Sequence, residues 1–304
     1  DIGESHVGDN AEKVNVLIDR AIEKLQTLVD NKGAITGVPT GIADLDKVLL
    51  GLQPGTLNIL GARPAMGKSA FALNLAVHAA QTLMKPVLFF SLEMGKAELA
   101  QRILSSEASV DGQLLRTGRP SPNDWTKISH AVGRLDIPLT IDDSAGTSVG
   151  QIRAKARRTI SREGGLALIV IDYLQLMGGD GRPENRQLEV SEISRKLKLL
   201  AREFSVPILA LSQLSRQLEA RTEKRPTLSD LRESGALEQD ADVVMFLFRP
   251  EIYDQDPNLK GKAEINVAKH RAGPLGTAQL AWLSTYTRFQ GVASDPVVDA
   301  ALRN

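Results

Sequence analysis

The 304-residue sequence contains no cysteine. That excludes disulfides, thiolate metal sites and a cysteine nucleophile, and it suits a reducing cytoplasm. Net charge is missing as well, because 37 Lys and Arg balance 37 Asp and Glu. No global field draws in a polyanion, so any nucleic acid must be held by local groups. Long apolar runs are also lacking. None approaches the length of a membrane span, and the N-terminus shows no charged-then-apolar leader pattern, so no membrane role is expected. The chain begins at Asp1 rather than Met, as expected of a fragment or a processed product. What it does have is 42% hydrophobic residues, enough for a sizeable core, and a length that suits one large α/β domain with an appendage.

The most informative stretch is residues 57–73, LNILGARPAMGKSAFAL. It reads as a short apolar strand, a tight turn and the opening of a helix, with Gly67, Lys68 and Ser69 at the helix entrance. This is the pattern of a phosphate cradle formed by Ala62, Arg63, Pro64, Ala65, Met66, Gly67, Lys68 and Ser69. Backbone N–H groups and the helix N-terminus face phosphate oxygens, Lys68 supplies a point charge, and the Ser69 hydroxyl can ligate Mg²⁺. The P-loop pattern has Gly at its first position, where this chain has Ala62. The backbone there must therefore hold φ < 0. The competing possibility is an ordinary strand-to-helix turn whose Gly and Lys carry no chemistry.

Around this motif, residues 1–10 read as a disordered lead-in and residues 11–30 as an amphipathic helix. Val14, Leu17, Ile18, Ala21, Ile22, Leu25, Leu28 and Val29 recur there at three- and four-residue spacing. The Gly-rich stretch 31–41 then reads as a connector, so that residues 1–40 form a linker and 41–304 the main domain. The helix either packs on its own domain or docks on a neighbouring subunit. A short helix over 42–49 and a turn at 51–55 lead into the cradle strand.

After the cradle helix, residues 86–92 form a strand candidate ending at Glu93, where a carboxylate could polarise an attacking water or simply open the next helix. A shorter strand follows at 137–141. Residues 149–163 carry Arg153, Lys155, Arg157, Arg158 and Arg162 on several faces, as a solvated helix or a binding patch would. Residues 166–172 are an apolar run ending in Asp172. A carboxylate at that strand end can orient a Mg²⁺-bound water near Ser69. A polar loop over 178–187 and a helix to 204 precede a strand over 206–211, which ends in Ser212 and Gln213. An amide at that tip can sense a γ-phosphate. Strands at 242–248 and 263–269 and closing hairpins with Trp282 and Phe289 complete the series. The alternation predicts a mostly parallel, doubly wound α/β sheet with ligands at the carboxyl ends of its strands.

Taken in order, the cradle, the FSLEM of residues 90–94, the IDYLQLM of 171–177, the LSQLSR of 211–216, the SDLRESGALEQDAD of 229–242 and the KHRAGPLG of 269–276 resemble the replicative DNA helicases of the DnaB family. The resemblance runs over roughly residues 11–289 and implies a RecA-like ATPase. Such a protein works as a homo-hexamer, encircles single-stranded DNA and moves along it 5′ to 3′. It also implies roles. Lys68, Ser69 and Asp172 would hold ATP phosphates and Mg²⁺, Glu93 would activate water, and Gln213 would couple the γ-phosphate to the DNA loops. Arg271, with Lys269, would reach the neighbouring subunit's nucleotide as an arginine finger. Arg232, Glu233 and Gly235 match the loop that faces the DNA backbone. The chain departs from the family at His270 and Ala272, around Trp282 to Phe289, and in the expected absence of the N-terminal helical domain. In relatives that domain forms a collar and binds primase, while a loader places the ring on DNA. A RecA-like recombinase, a nucleotide-gated assembly module and a small-molecule kinase are the alternatives. The spacing of the Arg232–Gly235 and Lys269–Arg271 segments favours the ring.

Overall fold

The computed structural model describes residues 12–30, 35–177 and 186–292. The expected lead-in, part of the connector and most of the polar loop at 178–187 lie outside the described residues. The chain divides into two units, one ending at Ile35 and the other starting at Thr36. The first unit contains α1 (Val14–Asp30), the expected amphipathic helix. Its Val14, Leu17, Ile18, Ile22, Leu25 and Val29 are exposed.

In order, the second unit comprises α2 (Ala43–Leu49), β1 (Leu57–Ala62), α3 (Lys68–Leu83), β2 (Val87–Ser91), α4 (Lys96–Ala108), α5 (Gly112–Thr117), α6 (Pro122–Arg134), β3 (Leu139–Asp142), α7 (Val149–Glu163) and β4 (Leu168–Asp172). It continues with α8 (Arg186–Phe204), β5 (Ile208–Gln213), α9 (Gly235–Asp240), β6 (Val243–Phe248), β7 (Lys262–His270), β8 (Gly276–Leu283) and β9 (Arg288–Gly291). The unit starts at Thr36, ahead of the boundary expected at residue 41. Val38 bridges Leu52, and the Thr40 N–H donates to the buried Asp46 carboxylate at 2.9 Å, which ties residues 36–40 to α2.

Among the described residues the strands form one sheet in the order β3-β2-β4-β5-β1-β6-β7-β8-β9. The pairings from β3 through β6 are parallel and those from β6 through β9 antiparallel. β1, β2, β4 and β6 are buried along their whole length. That is why they read as continuous apolar runs instead of alternating ones. One face of the sheet packs Leu60, Phe71, Leu75, Phe89, Val170 and Leu211 into a core with α2 and α3. The other packs Ile59, Phe90, Ile171, Leu197, Ala210 and Phe246 against α7 and α8. The expected doubly wound sheet is therefore present. β1 lies centrally between β5 and β6, and β2 has crossed to the far side of β4, so the chain leaves the carboxyl end of β1 beside a crevice.

Close packing at that end has a sequence signature. A Cβ on Gly61 would lie 2.8 Å from a methyl of Leu214 and 2.9 Å from the ring of Phe246. Real Cβ atoms do not approach so closely. Gly61→Ala is therefore expected to overpack the β1–β5–β6 contact and lose about 1–3 kcal/mol of stability, read as a lower urea midpoint with unchanged slope.

Candidate active site

The site is built on four adjacent strand ends. Ala62 closes β1 paired with Gln213, which closes β5. Asp172 closes β4 beside Ser91 of β2. Residues on different elements are thus brought together by sheet register. At the exit from β2, the Leu92 N–H donates to the Asp172 carbonyl at 2.6 Å, and the Ser91 hydroxyl donates to the Met94 carbonyl at 2.7 Å. These bonds fix the turn that carries Glu93.

The turn from β1 into α3 shows why Ala62 tolerates the absence of glycine. Ala62 is the last residue of β1, and the left-handed positions fall later, at Ala65 with φ 66° and Gly67 with φ 91°. A left-handed Ala is a strained backbone, and Arg249 braces it by donating to the Ala65 carbonyl at 3.1 Å. Gly67 has a second reason to be glycine. A Cβ there would meet the Phe289 ring at 2.9 Å. Phe289 packs edge-on against Phe71 and tilts against Trp282, its partner across the β8–β9 hairpin, while Arg249 lies over the Trp282 ring. The hairpin aromatics therefore support the cradle from beneath. Their place in a closing hairpin was legible in the sequence; their target was not.

A cavity of about 720 Å³ opens over this turn, room for a nucleoside triphosphate. Ala62, Arg63, Pro64, Ala65, Gly67, Lys68, Ser69, Glu93 and Gln213 all line it. Met66 is buried, and its N–H donates back to the Arg63 carbonyl, so it shapes the turn from within. The Arg63 side chain is also buried and is engaged by Leu214 and Glu219, leaving its backbone to the cavity. Arg102, Gln113, Arg116 and Thr285 also line the cavity, and no local motif marks them in the sequence.

Lys68 and Asp172 meet at the back of the cavity. Their charged atoms are 3.7 Å apart, an ion pair beyond hydrogen-bond length, and the ammonium sits 4.3 Å from the centre of the Tyr173 ring. Burial pushes the Lys68 pKa down from its usual range, while the charges of Asp172 and Glu93 oppose that shift. Both Asp172 carboxylate oxygens are fully buried and accept no hydrogen bond from the described residues. A carboxylate in that condition is costly unless a cation and its water shell complete it, so the pair Asp172 and Ser69 fits Mg²⁺. Among the described residues no group of three or more His, Cys, Asp or Glu could cage a metal.

At the tip of β5, the Gln175 side-chain amide donates to the Ser212 hydroxyl at 3.0 Å and to the Gln213 carbonyl at 3.3 Å. The exposed Gln213 side chain thus projects from a clamped backbone. Lys269 and Arg271 are absent from this cavity. At the end of β7, Lys269 donates to the Glu238 carbonyl and Arg271 to the Gln239 carbonyl, both in the last turn of α9. Gly235 opens α9 and is exposed, whereas the side chains of Arg232 and Glu233 lie outside the described residues.

The Phe289 ring is 4% exposed. Phe289→Ala is expected to cost about 3–5 kcal/mol of stability and also to weaken nucleotide binding, because the floor beneath Gly67 is lost. Urea denaturation and a fluorescent-nucleotide titration check both effects, and unchanged nucleotide affinity would reduce the ring to a core residue.

Residues 37–291 match the family model of the DnaB-like helicase C-terminal domain. The chain is 49% identical over 275 residues to the replicative DNA helicase DnaB of Geobacillus stearothermophilus, across 90% of this chain and 60% of that protein. It is 46% identical over 290 residues to the replicative DNA helicase DnaB of Pasteurella multocida, across 94% of this chain and 62% of that protein. Among solved structures it superposes on one described as an ATPase domain with a TM-score of 0.89 at 39% identity, covering 93% of this chain and all of that one. The chain spans about 60% of the length of the curated relatives it matches. With the cradle, the strand-end carboxylates and the sheet order all in agreement, the chain belongs to the DnaB-like helicase C-terminal domain family.

Proposed function

We propose that this chain is the ATP-hydrolysing motor of a replicative helicase, a ring of six that moves 5′ to 3′ along single-stranded DNA and parts the duplex at the fork. The carrying observation is the buried Asp172 carboxylate, without a hydrogen bond among the described residues, set behind Lys68, which lines a cavity together with Ser69, Glu93 and Gln213. In this reading the cradle backbone and Lys68 bind the β- and γ-phosphates. Ser69 and Asp172 would hold Mg²⁺, which when bound neutralises phosphate charge. Glu93 takes the proton of the attacking water, and Gln213 contacts the γ-phosphate from a fixed strand tip.

Arg271, with Lys269, serves the neighbouring subunit's nucleotide. Their distance from the cavity of their own chain supports that assignment, since neither lines it. Arg232, Glu233 and Gly235 face the DNA backbone. A Cβ on Gly235 would meet nothing within 4 Å among the described residues, so their packing does not require glycine there, and close approach of a ligand would. The exposed apolar residues of α1 dock on a neighbouring subunit. One solved relative is described as a DnaB-like replicative helicase with its interactions with primase, at TM-score 0.84 and 40% identity. Primase and a loader are accordingly the partners proposed for the longer protein, and the cytoplasm its compartment. No helix among the described residues is long and apolar enough to cross a membrane.

Glu93→Gln keeps size and polarity but removes the base. Turnover is expected to fall on the order of 10²-fold while nucleotide binding persists, and equal loss of binding would make Glu93 structural. The trans role of Arg271 is tested by mixing. Arg271→Ala subunits alone are expected to bind ATP without hydrolysing it, and to regain single-site turnover when mixed with Glu93→Gln subunits. Only an interface that joins Glu93 of one chain to Arg271 of another is complete in such a mixture. No rescue in oligomers shown to be mixed would place both residues at the same subunit's nucleotide.

A further inference from the structure

The Arg63 guanidinium is bound to protein groups beside the cradle whose cavity Arg63 helps to line. Only 7% exposed, it donates through Nη1 to the Leu214 carbonyl at 2.8 Å and through Nε and Nη2 to one Glu219 oxygen at 3.0 and 2.5 Å. The Leu214 N–H returns a bond to the Ala62 carbonyl at 3.1 Å. The first turn of the cradle and the segment leaving Gln213 are therefore joined in both directions, by main chain and by a charged fork.

The connection continues. Two residues beyond Glu219, Arg221 donates to the Asp230 carboxylate at 2.9 Å, to the Arg225 carbonyl at 2.8 Å and to the Thr227 hydroxyl at 3.1 Å. Asp230 is buried and also accepts the Thr227 N–H at 2.7 Å, while its own carbonyl accepts the Ser215 N–H at 3.1 Å. It lies just ahead of Arg232.

We infer that Arg63, Glu219, Arg221 and Asp230 are positioning residues that transmit the state of the phosphate cradle to the loop at 228–235, and that Arg63 is not a phosphate ligand. The inference rests on the reading of that loop as the DNA-facing one. Two observations carry it beyond packing. The Arg63 guanidinium is buried while Glu219 is half exposed, so the desolvation falls on Arg63, and a planar fork bound to both Leu214 and Glu219 fixes geometry where an apolar side chain would only fill space. At the junction, moreover, Arg221 Nε is buried without an acceptor among the described residues. A donor left unmet at the joint of two charged contacts gives the segment a reason to adopt a second arrangement when the cradle fills, which is what a coupling element requires.

The test is ATP turnover with and without an oligothymidylate strand, in the wild type, Glu219→Gln and Arg221→Lys, with thermal melting to show folding and a fluorescent-nucleotide titration for affinity. Both variants are expected to keep DNA-free turnover and nucleotide affinity within about twofold while DNA stimulation falls about fivefold or more. Stimulation that survives in the folded variants overturns the inference. So does a loss of nucleotide affinity, which would return the Arg63 fork to the nucleotide site. If Glu219→Gln fails to fold, Arg221→Lys decides alone, since it keeps the charge and removes only the fork. Failure of the underlying function looks different: wild-type turnover indifferent to the strand would overturn the translocase and this coupling together.

Discussion

The constraint on which this structure depends is a carboxylate with nothing to bond. Asp172 is fully buried, its two oxygens accept no hydrogen bond from the described residues, and its close cation among them is Lys68 at 3.7 Å. Folding concentrates this unmet charge at the end of β4, where a layer of apolar side chains excludes the water that would otherwise solvate it. Lys68 is held down in pKa by the same burial. Neither group is settled by the other alone, and in the proposed function a phosphate and its metal would complete both. A site that is electrostatically incomplete without ligand converts ligand binding into a large change of local energy, the quantity that the proposed motor would draw on.

The surroundings hold that incompleteness in place. The cradle turn is braced from three directions: Arg249 at the Ala65 carbonyl, Phe289 beneath Gly67, and Arg63 through Leu214 and Glu219. Each brace comes from a different part of the chain, the first two from the antiparallel end of the sheet and the third from the segment after β5. A left-handed alanine in the turn persists only because such contacts over-determine it. The hairpin that closes the sheet is thus a structural support for the phosphate turn as much as an edge.

The local parts of this arrangement are legible in the amino-acid order, and the long-range parts are not. Strand-turn-helix at 57–73, the Asp-terminated run at 168–172 and the Gln-terminated strand at 208–213 announce themselves because burial on both faces demands unbroken apolar runs, while a polar residue at the tip has no packing reason to be there. The φ < 0 expected of Ala62 is met by its place at the end of β1. The left-handed residue at Ala65 carries no sequence sign, since alanine is not a residue that advertises φ > 0. The boundary at Thr36 was hidden because one bridge, Val38 to Leu52, and one carboxylate, Asp46, anchor a stretch whose glycines read as a linker. Arg63 stands inside the phosphate motif, so its type and position suggest a ligand. Only its partners Leu214 and Glu219, 151 and 156 residues away in sequence, show where its fork is engaged.

The same distance between motif and partner bears on Lys269 and Arg271. In a single chain their charges end on the carbonyls of Glu238 and Gln239, in the last turn of α9, where the negative end of the helix receives them. Those carbonyls are weak counter-charges compared with a triphosphate, so under the proposed trans role the contacts would be exchanged for the neighbour's nucleotide. α9 begins at Gly235, directly after the loop proposed to face DNA, and Ser194 of α8 holds its far end through Asp240 at 2.8 Å. A cation that leaves the end of α9 therefore alters a helix that joins that loop to the body of the domain. On the proposed trans role of Arg271, hydrolysis at one interface and the position of the proposed DNA loop in the subunit that supplies the finger would be two ends of the same short element.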